Sequence, residues 1–284
     1  MKNGLVVESN NEYHGDLSAI SKSRLAKMAV CPKYFKWCEE NPEKKTADLI
    51  FGSAFHKWVL EQDTFFDEFA VIPNLDRRTK EGKAMYEQFM EESFGKDIIT
   101  AEEFETIKGM YSSIESNKYA KALLNGEKER SMYFIDDLTG IECKVRPDCY
   151  KTTNSGKLLI TDLKSCKDAT PEAFMRDIVK YAYDLQAYMY EHGAHKTLGV
   201  AMEDITFCFV CVEKKAPFLM AVYEINGDVL ARGEMCFRKY IGQLKYCRET
   251  GNWYGYNGYT HEPMPLGLPD WANKGNKGEQ NNDE

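Results

Sequence analysis

The sequence predicts one α/β domain with a helical N-terminal extension. Apolar residues recur at helical spacing through residues 16–125, whereas residues 126–250 contain short apolar runs separated by turn residues. A chain of 284 residues is long enough to bury one large core. We therefore expect a single domain over 16–260, with a helical part at 16–125 and a sheet-containing core at 126–250.

The helical part contains four predicted segments. Helices are expected at 18–40, with an interruption at Pro32, and at 47–62, 81–93 and 101–124. In the second of these, Ile50, Ala54 and Trp58 follow helical spacing. The stretch VIPNLDRRTKEGK between the second and third helices is typical of a turn. Residues 1–15 are expected to form a flexible leader.

The core begins with three segments that predict consecutive strands of a meander: SMYFIDD, IECKVRPDCYK and KLLITDLKS. A helix should open at Thr170-Pro171, and a long helix should run over 178–194 and end near Gly193. DITFCFVCVEK and FLMAVYEI predict two further strands, and residues 226–249 predict a closing helix. The polar residues 271–284 are expected to be a disordered tail.

Composition excludes some classes of protein. The net charge of −8, from 37 basic and 45 acidic residues, argues against a protein that simply coats nucleic acid, but bound metal ions and a local basic patch would permit a nuclease. There is no apolar run of eighteen residues and no signal-peptide pattern, so we expect a cytoplasmic protein with no membrane partner. The nine cysteines are scattered, which favours free thiols.

Charged residues in the predicted strands carry the chemistry. Asp148 lies near the end of the second strand, and Asp162 and Lys164 are two apart on the third, so both project from one face. Carboxylates on neighbouring strands make an oxygen site suited to Mg²⁺ or Mn²⁺. A lysine beside it can position or deprotonate a water, or stabilise charge on a phosphate. Alone, a D-x-K pair is also consistent with a surface ion pair.

Two helices contribute further candidates. His56 follows Gly52, Ser53 and Ala54 on the second predicted helix, and these small residues would let the helix approach the sheet closely. A lone histidine of this kind is more often a hydrogen-bonded core residue. Gln186 and Tyr190 are four apart and share one helical face, which an amphipathic packing helix would also explain.

Taken in order, these residues resemble the exonuclease branch of the PD-(D/E)XK nuclease superfamily. The phrases HGDLSAISKSRL, FGSAFHKWVLE, DRRTKEGK, VRPD, TDLKS and DLQAYMY are similar to RecE-type exonucleases (exodeoxyribonuclease VIII) and related phage-encoded nuclease domains. The likeness covers residues 13–250. It implies a restriction-endonuclease-like core, with a central mixed sheet flanked by helices.

The resemblance also implies a function and a site. We expect a Mg²⁺-dependent exonuclease, with Mn²⁺ as a substitute, that degrades one strand of linear duplex DNA from its 5′ ends and leaves 3′ single-stranded tails for recombination. The implied metal ligands are His56, Asp148, Asp162 and the Leu163 carbonyl. Lys164 would act on water or phosphate, and Gln186 and Tyr190 would contact the active site or the DNA backbone.

The partners implied by the resemblance are DNA ends, a RecT-like single-strand annealing protein and copies of the same chain in a ring-shaped trimer or tetramer. The setting would be a bacterial or phage-infected cell. Three alternatives stay open: a catalytically silent DNA-binding or assembly module on the same fold, a structure-specific endonuclease, and a small-molecule metalloenzyme.

Residues outside the motifs have weaker assignments. The basic cluster of Arg77, Arg78, Lys80 and Lys83 is either a phosphate clamp or a solvated turn. Glu61 could have a secondary metal role, and Glu142 or Arg146 could support Asp148. We expect no iron–sulfur cluster, because Cys31 and Cys38 have no close group of cysteines near the C-terminus.

Overall fold

The computed structural model describes residues 2–42, 44–258, 260, 262–269 and 272. The tail expected at 271–284 lies outside the described residues, apart from Ala272. Within the described part of the chain, no helix combines the length and apolarity needed to cross a bilayer.

Helices dominate the first half of the chain, and strands and helices alternate in the second. The helices are α1 (Asn10–Gly15), α2 (Lys22–Leu25), α3 (Pro32–Glu40), α4 (Ala47–Leu60), α5 (Phe65–Glu68), α6 (Lys80–Glu92), α7 (Ala101–Ser116), α8 (Lys118–Leu123), α9 (Pro171–Lys180), α10 (Tyr183–Leu198) and α11 (Gly227–Thr250). The strands are β1 (Gly4–Val6), β2 (Phe69–Ile72), β3 (Asp97–Thr100), β4 (Glu127–Lys128), β5 (Ser131–Ile135), β6 (Glu142–Val145), β7 (Cys149–Thr152), β8 (Leu158–Cys166), β9 (Ile205–Glu213) and β10 (Met220–Glu224).

A mixed five-stranded sheet in the order β10-β9-β8-β7-β4 forms the centre. Strands β8 and β9 are parallel, and the other neighbours are antiparallel. Alternate residues of β9 enter opposite cores because successive strand side chains point to opposite faces. Phe209 packs in the core that contains α10 and α11, and Val210 packs in the core that contains α4 and α7. The predicted mixed sheet flanked by helices is therefore confirmed.

The segment IECKVRPDCYK is not one strand, and this corrects the predicted meander. Strand β6 ends at Val145, and β7 begins at Cys149. Pro147 lacks an amide hydrogen and cannot continue the strand ladder, so the chain changes sheet there. Strands β1, β5 and β6 form a separate three-stranded sheet, while β7 and β8 belong to the central one. Asp148 consequently lies in the connection between the two sheets.

Helix boundaries also differ from those predicted. The helix expected at 101–124 divides at Asn117, whose side chain caps α8. The helix expected at 178–194 begins only after Ala182, which has a left-handed φ of 53°, and it continues to Leu198 before Gly199. Gly193 lies inside α10, where a Cβ atom would meet Val145 at 2.7 Å, so this glycine permits close packing and does not end the helix.

The helical part contains a small sheet that the sequence did not reveal. Strands β2 and β3 pair in parallel, with Phe69 opposite Asp97 and Ile72 opposite Thr100. Part of the predicted turn, at Val71 and Ile72, belongs to β2. Helix α6 lies in the chain between the two strands.

The predicted flexible leader is wrong for residues 4–15. Strand β1 pairs with β5, and α1 starts with a capping box between Ser9 and Glu12. This segment is ordered because two buried cations hydrogen-bond to its backbone: Lys144 in β6, and Arg146 just after β6. Lys144 is only 2% exposed and donates to the carbonyls of Tyr13 and Asp16. Arg146 donates to the carbonyls of Glu8 and Ser9, so the N-terminal segment supplies acceptors that these side chains need.

Candidate active site

Strand β8 presents the D-x-K pair near an open edge of the central sheet. The pairing of β7 with β8 ends at Cys149 opposite Thr161, so β8 has no β7 neighbour beyond that point. Asp162 is buried with 1% exposure, and its Oδ2 lies 2.5 Å from the Lys164 ammonium. The two side chains share one face of β8, as their spacing predicted.

Asp148 reaches this edge from the connection that follows Pro147. Its Oδ2 accepts a hydrogen bond from the Leu163 amide at 2.6 Å, and its Oδ1 lies 3.2 Å from Nδ1 of His56. In a β-strand the amide and carbonyl of one residue point to the same side. The Leu163 carbonyl therefore points towards the same edge as Asp148, which suits its predicted place beside an ion.

His56 comes from α4, which is fixed by its own packing. Thr46 caps the helix by accepting from the Leu49 amide, and Phe51, Ala54 and Phe55 are buried in the core. The expectation that small residues allow close packing fits Ala54 but is wrong for Gly52. A Cβ atom at Gly52 would meet nothing within 4 Å, so open space lies one turn before His56.

Helix α10 covers the D-x-K pair. Gln186 donates to Oδ1 of Asp162 and accepts from the Lys164 ammonium at 3.1 Å, so it joins the two residues. Burial and the nearby Asp162 carboxylate raise the pKa of the Tyr190 hydroxyl, and Gln186 opposes this shift. The Lys164 ammonium also lies 4.5 Å from the centre of the Tyr183 ring. The structure thus brings Gln186 and Tyr190 to the pocket, and their catalytic roles stay predictions.

Two residues at the pocket were missed by sequence reasoning. Glu129, between β4 and β5, pairs with Arg146 at 2.6 Å. Lys22, at the start of α2, donates to the Tyr181 carbonyl at 2.7 Å and lies 5.2 Å from the same Tyr183 ring that contacts Lys164. Charged residues are common in predicted loops and on predicted helices. Neither Glu129 nor Lys22 had a short-range pattern to mark it, apart from the motif HGDLSAISKSRL around Lys22.

The charges of the central residues are coupled. Burial opposes ionisation of His56, but the neighbouring Asp148 raises the pKa of the imidazole. Burial also opposes ionisation of Asp148, yet His56 and Lys164 hold its pKa below the usual value. Burial and the nearby Asp148 raise the pKa of Asp162 despite Lys164. Against burial, Asp162 raises the pKa of Lys164, so the amine is an ammonium at neutral pH.

The two missed residues are also shifted. Burial and the Asp148 carboxylate raise the pKa of Glu129 to about 7, against the effect of Arg146. Burial and the nearby Lys164 lower the pKa of Lys22 to about 7. Shifted groups of this kind concentrate at functional sites.

The donor chemistry of the pocket fits a divalent cation. Within the described residues, one nitrogen or oxygen atom from each of His56, Glu129 and Asp148 lies within 4.8 Å of the others. Carboxylate oxygens suit Mg²⁺ and Mn²⁺, whereas an imidazole nitrogen is a ligand more typical of transition metals. Asp162 is not in this group, because Lys164 and Gln186 engage its oxygens. Its predicted role as a ligand requires it to exchange one of these partners for the ion.

Other predicted residues lie on the surface. Arg77, Arg78, Lys80 and Lys83 are exposed at the start of α6. Two of these residues make contacts with close neighbours in the sequence. The Arg77 guanidinium lies 4.8 Å from the centre of the Tyr86 ring, and Arg78 pairs with Asp76. The Glu61 carboxylate pairs with Lys57 at the surface and takes no part in the donor group.

Comparison with known proteins agrees with this fold and site. The family model of a PDDEXK-like domain of unknown function (DUF3799) matches residues 21–261, so the chain belongs to that family and has a PD-(D/E)XK nuclease fold. The expectation from sequence motifs is confirmed at the level of the superfamily, though not specifically for the RecE type. Comparison with curated proteins finds no match.

A solved structure has a similar fold. A protein from Eubacterium rectale named "Putative exonuclease" is similar over 96% of this chain and 99% of its own, with 15% identity and a TM-score of 0.59. A second structure, of the protein SSO0001, aligns over 81% of both chains with 12% identity and a TM-score of 0.34, which is too distant to support an argument.

Proposed function

We propose that this protein is a Mg²⁺-dependent exonuclease that hydrolyses linear double-stranded DNA from its 5′ ends. The observation that supports this most directly is the contact of His56 with Asp148 at 3.2 Å, beside Asp162, Lys164 and Gln186. Membership of a PDDEXK-like family supports nuclease activity, and so does the similarity to a solved structure that is named as an exonuclease. The 3′ tails produced would feed strand annealing, with a RecT-like annealing protein and a ring of identical subunits as proposed partners.

The residues of the pocket have separate roles in this proposal. Asp148, Asp162, His56 and the Leu163 carbonyl would hold the ion, which supplies Lewis acidity at the scissile phosphate when bound. Lys164, as an ammonium, would orient the attacking water and stabilise charge on the phosphate oxygens. Gln186 accepts from Lys164 and donates to Asp162, and in this proposal these bonds would hold the lysine beside the phosphate.

Polarity is tested with linear duplex DNA labelled at one end, with and without a 5′-phosphate, in Mg²⁺. We expect nucleotides to be released from linear duplex and not from covalently closed circles, and EDTA to stop the reaction. Nicking of circles would favour the structure-specific endonuclease, and an EDTA-insensitive effect on DNA would favour the silent binding module.

Asp162→Ala tests the mechanism, with Glu224→Ala as a control because Glu224 is exposed at the end of β10. Asp162→Ala should lose Mg²⁺-dependent nucleotide release while it keeps the circular dichroism spectrum of the wild type. Full activity in Asp162→Ala would remove the mechanism.

A further inference from the structure

Glu129 occupies an unusual backbone position next to the pocket. Its φ is 51°, in the left-handed region, although it is not a glycine. Such a conformation is strained for a residue with a side chain, and strained residues cluster at functional sites. The Glu129 amide donates to the Asp148 carbonyl at 3.3 Å, so the β4–β5 turn is fixed against the connection that carries Asp148.

The side chain of Glu129 lies close to those of two predicted metal ligands, His56 and Asp148. Its carboxylate, the His56 imidazole and the Asp148 carboxylate each provide an atom within 4.8 Å of the others. An ion with ligand bonds of about 2.1 Å holds its donors no more than about 4.2 Å apart, so a small inward movement would enclose it. The pair with Arg146 uses Oε2 of Glu129. Among the described residues, no hydrogen bond or ion pair involves Oε1 of Glu129.

Asp148 stands between two groups of donors. On one side are His56 and Glu129, and on the other are the Leu163 backbone and the D-x-K strand. A carboxylate with one oxygen directed to each side can serve two ions, as happens where two metals lie about 3.5–4 Å apart. The Arg146 guanidinium beside Glu129 offsets part of the negative charge while no ion is bound.

We propose that Glu129 binds a second divalent ion together with His56 and Asp148. In this arrangement His56 is a ligand of the second ion in place of the first, and the first ion keeps Asp148, Asp162 and the Leu163 carbonyl as its ligands. The proposal rests on the proposed function for the identity of the ions. It extends the metal centre from β8 to the β4–β5 turn.

The test compares Glu129→Gln with Glu127→Gln in Mn²⁺ titrations of the full chain without DNA, where the signal of free Mn²⁺ is followed by electron paramagnetic resonance. Glutamine retains an oxygen that can accept from Arg146 but loses the charge. Glu127 pairs with Arg130 at the surface and is therefore a matched control. We expect two bound ions in the wild type and in Glu127→Gln. In Glu129→Gln, one of the two should bind at least tenfold more weakly.

A purely structural role for Glu129 predicts a different result. If the residue only neutralises Arg146, Glu129→Gln will bind both ions with unchanged affinity, and the proposal is overturned. A wild type that binds fewer than two ions overturns it as well. If Glu129→Gln does not fold, Arg146→Met is measured in its place. This variant keeps the Glu129 carboxylate, so the proposal requires it to bind two ions. Loss of one ion in Arg146→Met overturns the proposal.

DNA hydrolysis is measured separately on the same proteins. Two ions with dependence on Glu129, but no cleavage of linear duplex, would refute the proposed function and leave the Glu129 assignment standing. Cleavage of linear duplex together with unchanged Mn²⁺ binding in Glu129→Gln would refute only the Glu129 assignment.

Discussion

The Asp148 carboxylate accepts a hydrogen bond from the Leu163 amide at 2.6 Å, and this contact connects the end of one sheet to the middle strand of another. It exists because Pro147 ends β6 and lets the next residue turn towards the open edge of β8. The candidate active site therefore lies at a junction between two sheets, and α4 and α10 each add side chains to it.

Lys164→Met should lower kcat for hydrolysis of linear duplex DNA by about 100-fold or more, because the ammonium that faces the phosphate is lost. Mn²⁺ binding should persist, since the carboxylates and His56 remain. Calorimetric titration with Mn²⁺ and a nucleotide-release assay on the same preparation check both points. Near-wild-type hydrolysis by Lys164→Met would show that the lysine has no part in the reaction.

Gly52→Leu should stabilise the protein and impair its activity. The position is helical and has open space, so replacing glycine should stabilise the fold by about 0.5–1 kcal/mol. The new side chain would lie one turn from His56, on the same helical face, and occupy room that DNA needs. We expect a raised Tm and a raised KM for DNA. Ser53→Leu, on an exposed neighbouring position, should leave KM unchanged, and equal KM values in the two variants would contradict this.

The exposed pair Arg77 and Arg78 should bind DNA phosphates if the cluster at the start of α6 is a clamp. Replacing both by alanine should weaken DNA binding in Ca²⁺ and reduce the slope of log affinity against log salt by about 2, because each phosphate contact contributes about 0.9. Replacing the exposed Lys215 and Lys239 instead is the matched control. Identical salt slopes in the two double variants would identify the cluster as a solvated turn.

Glu191 should make the protein less stable as pH rises. The residue is 2% exposed, and burial raises its pKa to about 8, so the folded state binds a proton that the unfolded state has already released above its ordinary pKa of 4.5. Its contribution to the free energy of unfolding should fall by about 1.4 kcal/mol per pH unit between these two values and then level off.

Glu191→Gln mimics the protonated form and should remove this pH dependence. Urea denaturation at pH 5.5 and pH 8, in EDTA, should show that the variant gains stability over the wild type at pH 8 and gains much less at pH 5.5. Equal gains at both pH values would mean that Glu191 is not protonated in the folded protein.

Residues close together in the sequence were the ones that could be predicted. Asp162 and Lys164 share a face by strand periodicity, and Gln186 and Tyr190 share one by helical periodicity, so both pairs meet as expected. Glu129 could not be found in this way, because it reaches the pocket through a turn whose conformation depends on tertiary contacts. The β2–β3 pair joins segments separated by α6, and short apolar runs cannot reveal such pairing.

The predicted leader failed for a related reason. Residues 8–15 are mostly polar and have no periodicity that predicts structure, but the buried cations Lys144 and Arg146 need acceptors that the carbonyls of this N-terminal segment supply. Sequence periodicity indicates which side chains of a segment can be buried. It does not indicate that a distant side chain, such as Lys144 or Arg146, needs the backbone carbonyls of that segment as hydrogen-bond acceptors.

Arg146 links the first residues of the chain to the pocket, since it contacts the Glu8 and Ser9 carbonyls at one end and Glu129 at the other. Expression of this protein should therefore retain those residues. Their removal would also expose the hydrogen-bonding edge of β5, and an exposed strand edge promotes aggregation. An affinity handle is better separated from Gly4 by a spacer, so that it does not compete for the sheet.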